Sequence, residues 1–176
     1  MFDVEVFGLP APGRDARSGV PGAAAVRELC IAAAARAGVR DGHLAVSFVD
    51  APTIAALNAE HRGEPRPTDV LSFPIDGSAD PDRGGEGGVG VTPNEGAARA
   101  RVRARARARH PERELGDVVI CIDHTIDVRE AIVHGVLHLA GMDHETDDGE
   151  MLALQREVLA AMRPAPSEAA GAREAR

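Results

Sequence analysis

Residues 134–144 read HGVLHLAGMDH, and no other stretch constrains the fold as strongly. On a helix, the four-residue spacing of His134 and His138 puts both side chains on one face, one turn above the other. Both can then point at one ion. Gly141 permits the left-handed turn that ends a helix, so the chain can fold back and bring His144 to the same point. The chain must therefore supply a helix over VREAIVHGVLHLAG and a return after it. Three neutral imidazoles plus one open position form a catalytic zinc arrangement rather than a closed structural one. The open position holds a water, whose pKa the metal lowers toward neutrality. Three imidazoles also suit nickel, copper or iron.

The remaining pattern mixes strands and helices. FDVEVF alternates and predicts a first strand. GLPAPGRDARSGVPG reads as loop, and AAAVRELCIAAAARAG predicts a helix closed by Gly38. HLAVSFVD alternates Leu44, Val46 and Phe48 as a second strand. Asp50 can cap the helix APTIAALNAEHRG, with Pro52 in its first turn. TDVLSFPI predicts a third strand, ended by Pro74. LGDVVICID is nearly all apolar, so this fourth strand belongs in the middle of the sheet. ETDDGEMLALQREVLAAM predicts the last helix, with Met151, Leu154, Val158 and Leu159 on one side. The order argues an α+β fold: one domain over 1–162, its four strands in one small sheet packed with helices. Residues 76–113 form a Gly/Arg-rich insert and 163–176 a polar tail, both expected to be disordered.

Composition narrows the function classes. The chain has 176 residues, 44% of them apolar, but no Trp, no Tyr and only four Phe, so Val, Leu, Ile and Ala must build the core. All its Lys and Arg are Arg, which reads as compositional bias. A net charge of −8 gives no global attraction for nucleic acid, so any anion-binding surface must be local. Arg99, Arg101, Arg103, Arg105, Arg107 and Arg109 alternate with small apolar residues in the insert. That tract could hold RNA by salt-dependent phosphate contacts, or be a solvated loop. Cys30 and Cys121 sit in apolar runs and are expected to be buried free thiols. MFDVEVFGLP lacks the pattern of an export signal, and no apolar run nears roughly 18 residues. The expectation is a soluble cytoplasmic protein with no membrane partner.

The histidine spacing equals that of the metzincin proteases, H-E-x-x-H-x-x-G-x-x-H, giving a zincin-like site on a helix. Gly135 stands where those proteases carry the glutamate that serves as general base, and glycine cannot do that work. The stretch instead resembles the H-G-x-L-H-L-x-G-x-D-H signature of the YbeY-type endoribonucleases, the rRNA maturation factors. LNAEHRGEPRPTDVLSFP, residues 57–74, resembles that family's L-N-x-x-Y-R-x-x-x-x-P-T-D-V-L-S-F-P stretch, and LGDVVIC its L-G-D-I-x-I-x strand. The three segments fall in the family's order and span roughly 40–160 apart from the insert.

The resemblance implies a single zinc-binding domain around a small mixed sheet. It implies cleavage of single-stranded RNA, with a part in small-subunit rRNA 3′-end maturation and ribosome quality control. Ribosomal small-subunit proteins are then further partners. His134, His138 and His144 would hold one zinc ion per chain, and Arg62 matches the family's functional arginine. A guanidinium suits that role, because its planar donors can share the charge that builds on phosphate oxygens. Arg66 is a further candidate for phosphate contact. Asp143 could orient a histidine or cap a turn, and Ser72 could line the cleft or bond backbone. Asp69 and Asp117 read as structural caps at strand starts, and His124 as a linker residue. His61 and Met142 replace family tyrosines, which removes two surfaces for base stacking. Two rival readings remain open: a metzincin-like metallopeptidase, with Glu145 or Glu150 as its base, and a non-catalytic, zinc-stabilised ribosome-assembly adaptor.

Overall fold

The apolar run ELGDVVIC cannot sit at a sheet edge, because every residue in it except Asp117 is buried. In the structure, a computed structural model that describes residues 1–10, 19–75 and 113–163, this run lies inside the sheet. Strands β1 (Phe2–Phe7), β2 (Gly42–Val49), β3 (Val70–Pro74) and β4 (Glu114–Cys121) align in the order β1-β2-β4-β3. β1 pairs with β2 and β2 with β4 in parallel, and β3 closes the edge antiparallel to β4. Helices α1 (Ala23–Arg36), α2 (Ala51–Arg62), α3 (Val128–Leu139) and α4 (Glu150–Ala161) complete the α+β fold.

Side-chain alternation along β4 assigns the helices to the two faces of the sheet. Val118 and Ile120 join a core built with α1, α3 and α4, while Val119 and Cys121 join Ile54 and Leu57 of α2. A register shift between His43 and Leu44 breaks the alternation, and Leu115 thereby joins the first layer with Val118. Asp50 caps α2 as expected, accepting from the Thr53 amide at 2.9 Å. Both cysteines are buried and free, and burial pushes the Cys30 thiol up to about 12. No helix among the described residues is long and apolar enough to cross a membrane.

Two expectations need correction. The last helix starts at Glu150, not near Glu145. The aspartates upstream explain the shift: Asp143 accepts from the Glu145 amide at 3.0 Å, and Asp147 from the Gly149 and Met151 amides at 2.7 and 2.8 Å. These short acidic side chains hold the Glu145 and Gly149 amides in turns, and Asp147 also receives the Met151 amide of the first helical turn. Met151 and Val158 are buried in the core and Leu154 and Leu159 pack partly buried against it, so the four lie on one side as expected, with Gln155 buried among them. The second correction is that Asp117 lies within β4 rather than at its start. The expected insert 76–113 and tail 163–176 lie outside the described residues, save for their end residues Arg113 and Arg163. Arg113 already belongs to the sheet margin, its carbonyl accepting from the His43 amide at 3.0 Å.

Candidate metal centre

Asp127 caps the start of α3, accepting from the Arg129 and Glu130 amides at 2.9 and 3.3 Å. At the far end, the Gly141 amide bonds the His138 carbonyl at 3.0 Å and the Met142 amide bonds the Leu137 carbonyl at 3.1 Å. This paired closure needs a left-handed residue, and Gly141 supplies it at φ +91°. The turn then carries the chain back to His144. Gly135 has a different task. A Cβ there would lie 2.5 Å from Val118 Cγ1 and 3.2 Å from Ser72 Oγ, so glycine lets α3 sit close against β4 and β3. The metzincin glutamate cannot occupy this position, because its side chain would meet the sheet.

The three histidines converge as the spacing predicts. Their rings form a nearly even triangle, with centroids 4.7, 5.0 and 5.2 Å apart. One ligand atom from each lies within 4.8 Å of the others. Nε2 of His134 and Nε2 of His138 are 3.1 Å apart. Two nitrogens on one tetrahedral zinc, at about 2.05 Å each, stand roughly 3.3 Å apart, so the donor set fits. The outward nitrogens are committed elsewhere. His138 Nδ1 lies 3.0 Å from the Met142 carbonyl, which only accepts, so Nδ1 carries the proton and Nε2 keeps its lone pair. His134 Nδ1 lies 2.9 Å from Gln155 Oε1. Burial above all, then the neighbouring His134, holds the His138 imidazole below its ordinary value of 6.5, which favours the neutral form that binds metal.

The other predicted residues are placed as follows. Arg62 is the last residue of α2, is exposed, and makes no side-chain ion pair among the described residues. It sits beside His61, whose ring is 4.6 Å from that of Phe73, so the end of α2 lies against β3. The next strand residue back, Ser72, donates to the Gly135 carbonyl at 3.3 Å and so ties β3 to the metal helix beside His134. Arg66 is engaged with Glu64, its Nε and an outer nitrogen lying 2.9 and 2.8 Å from the same carboxylate oxygen. Its carbonyl accepts from buried Asn58 at 2.9 Å, which anchors the loop after α2. The Asp143 side chain caps the Glu145 amide and so serves the turn. Asp69 caps the start of β3 through the Val70 amide at 2.9 Å. His124 ends a short 3-10 turn, Ile122–His124, before α3. The His61 ring packs on Phe73 and the Met142 side chain packs partly buried against the core, so both substitutes for the family tyrosines have work in the fold.

Sequence reasoning missed Gln155 and Glu130, whose side chains continue from His134: Gln155 Nε2 donates to Glu130 Oε1 at 2.9 Å. A polar residue interrupting the buried side of α4 was the signal that could have found the first.

A mixed sheet carrying three converging imidazoles at the end of a helix defines the class: an α+β domain with a candidate three-histidine metal centre. Comparison with known proteins sharpens this. The model of the family described as endoribonuclease YbeY matches residues 23–163. An endoribonuclease YbeY of Bacillus cytotoxicus is 36% identical over 151 residues, covering 77% of this chain and 83% of that protein. One of Rubrobacter xylanophilus is 33% identical over 143 residues, covering 77% and 82%. The solution structure of a Thermotoga maritima protein aligns at a TM-score of 0.45 and 21% identity, over 91% of this chain and 89% of that one. The chain belongs to the endoribonuclease YbeY family, as its three motifs indicated.

Proposed function

We propose that the chain is a metal-dependent endoribonuclease acting on single-stranded RNA in the cytoplasm. Its substrate is the 3′ end of small-subunit ribosomal RNA, and small-subunit ribosomal proteins are its partners. The catalytic unit is 1–162, with 76–113 as an insertion in it. The observation that carries this reading is the convergence of His134, His138 and His144 within 4.8 Å in a chain of this family. Those three residues would hold one zinc ion. Bound there, zinc would supply Lewis-acid polarisation and lower the pKa of a water.

The chain's own residues do the rest. Acceptors at Nδ1 of His138 and of His134 hold the ring proton on that side and leave Nε2 of each turned toward the cluster. Arg62 steadies the scissile phosphate as negative charge develops on it, a task its planar donors suit. Among the described residues Arg62 makes no ion pair, which leaves the guanidinium available, whereas Arg66 must first leave Glu64. The peptidase reading loses support at Gly135, where no glutamate fits, and Glu145 and Glu150 are exposed and outside the ligand cluster.

The test is cleavage of a labelled single-stranded fragment from the 3′ end of small-subunit rRNA, with His138→Ala and Arg62→Ala purified identically. A chelator arm and a duplex control run beside them. The expected result is cutting by the wild type alone, abolished by chelator and restored by zinc. Equal cutting by all three proteins would contradict the proposal.

A further inference from the structure

Four polar side chains are buried among the described residues, and one of them, Gln155, lies on the otherwise apolar side of α4. Gln155 is 5% exposed, and a buried amide is costly unless its groups are paired. Here both are paired, and both on α3. Oε1 faces Nδ1 of His134 and Nε2 faces Oε1 of Glu130, each at 2.9 Å. Glu130 and His134 lie four residues apart on α3, so one glutamine from the neighbouring helix spans a single helical turn.

The donor and acceptor roles in this chain follow one from another. An ionised carboxylate only accepts, so the Gln155 amide must turn its NH2 toward Glu130. Its carbonyl oxygen is then fixed toward His134, whose Nδ1 must carry the proton. Nε2 of His134 is left with its lone pair aimed at the cluster, 3.1 Å from Nε2 of His138. A backbone carbonyl does this for His138; for His134 two side chains on two helices do it.

We infer that Gln155 and Glu130 are positioning residues of the metal centre. Gln155 holds the tautomer and ring orientation of His134, and Glu130 holds the amide of Gln155. The C-terminal helix α4 is therefore part of the metal centre as well as a packing element. This rests on the reading that the three histidines hold a metal. Partners of this kind on ligating histidines typically set metal affinity by a factor of about 10 to 100.

The test uses the full chain. Zinc affinity is measured by competition with a chromophoric chelator, the visible spectrum of the cobalt-substituted protein reports ligand geometry, and thermal unfolding of the metal-free protein reports folding. The variants are Gln155→Leu, Glu130→Gln and the exchange Glu130→Gln/Gln155→Glu. In the exchange, the carboxylate placed at 155 accepts from both His134 and the amide at 130, so every donor and acceptor keeps a partner. Gln155→Leu should weaken zinc binding by about 10-fold or more and alter the cobalt spectrum, while the metal-free protein stays folded. Glu130→Gln should weaken it less, and the exchange should restore affinity to within about 3-fold of wild type.

If Gln155→Leu folds and binds zinc as the wild type does, the inference is wrong. If that variant fails to fold, the two shape-preserving variants decide. Weaker binding in Glu130→Gln with recovery in the exchange upholds the inference, and equal affinity in Glu130→Gln and wild type overturns it. A wild type that takes up no zinc overturns the metal reading itself, an outcome distinct from the failure of the positioning role alone.

Discussion

The protein holds histidines in two opposite ways. At the start of β2, His43 is 2% exposed, with Nδ1 2.7 Å from Glu114 and Nε2 3.8 Å from Glu5. Both of its nitrogens face carboxylates, and it joins three strands. At the end of α3, Nε2 of His134 and of His138 turn toward each other, and their Nδ1 atoms face an amide oxygen and a backbone carbonyl. A partner on Nδ1 alone leaves Nε2 free to converge, whereas carboxylates facing both nitrogens leave the His43 ring none to offer. The lesson is that a histidine binds metal when only one of its ring nitrogens is taken by the protein and is structural when both are.

Exchanging substitutions between the two regions breaks the comparison most sharply. His138→Ala should abolish zinc uptake and RNA cleavage yet leave the metal-free protein about as stable as wild type, by metal analysis and calorimetry. His43→Ala should do the reverse. It leaves Glu114 buried beside a cavity, so unfolding should become easier by about 3 kcal/mol while zinc affinity holds. Loss of zinc binding in His43→Ala would show that the two regions are coupled.

A smaller effect is expected at Gly135→Ala, where the added methyl meets Val118 Cγ1. Overpacking of this kind costs about 1 to 3 kcal/mol, and it should displace His134 enough to weaken zinc binding too. Val118→Ala in the same chain should recover both. If Gly135→Ala matches wild type in denaturant and zinc titrations, the close approach of α3 to β4 is not needed.

The smallest expected effect is on pH dependence. His138 is held below 6.5 in the folded chain, so the unfolded chain binds more protons in the window just below 6.5. Stability of the metal-free protein therefore rises with pH through that window and falls on acidification from about pH 7 to 5. The slope should be shallower in His138→Ala. A melting temperature that rose on acidification over this range would reverse the sign and refute the burial account.

The metal centre was legible because its parts are local. His134 and His138 share a helix face by spacing alone, and Gly141 announced the turn that returns His144. The central place of β4 was legible from its nearly all-apolar run. Gln155 was not, because it meets His134 across 21 positions through the docking of two helices, and a single glutamine in an apolar stripe has no periodic signature. The late start of α4 was hidden for a different reason: Asp143 and Asp147 take the Glu145 and Gly149 amides into turns over residues that the sequence pattern assigns to the helix. His43 offered no pattern of its own, since its partners lie on two other strands. Arg62 became a candidate only through the resemblance; as a lone arginine after an amphipathic helix it reads as a surface charge.

The most direct measurement is metal analysis with X-ray absorption on the purified wild-type protein and its His138→Ala variant. The account predicts one zinc per wild-type chain, bound by nitrogen and oxygen donors at about 2.0 to 2.2 Å, and none in the variant. A wild type without metal, or one whose metal is bound through sulfur at about 2.3 Å, would contradict it.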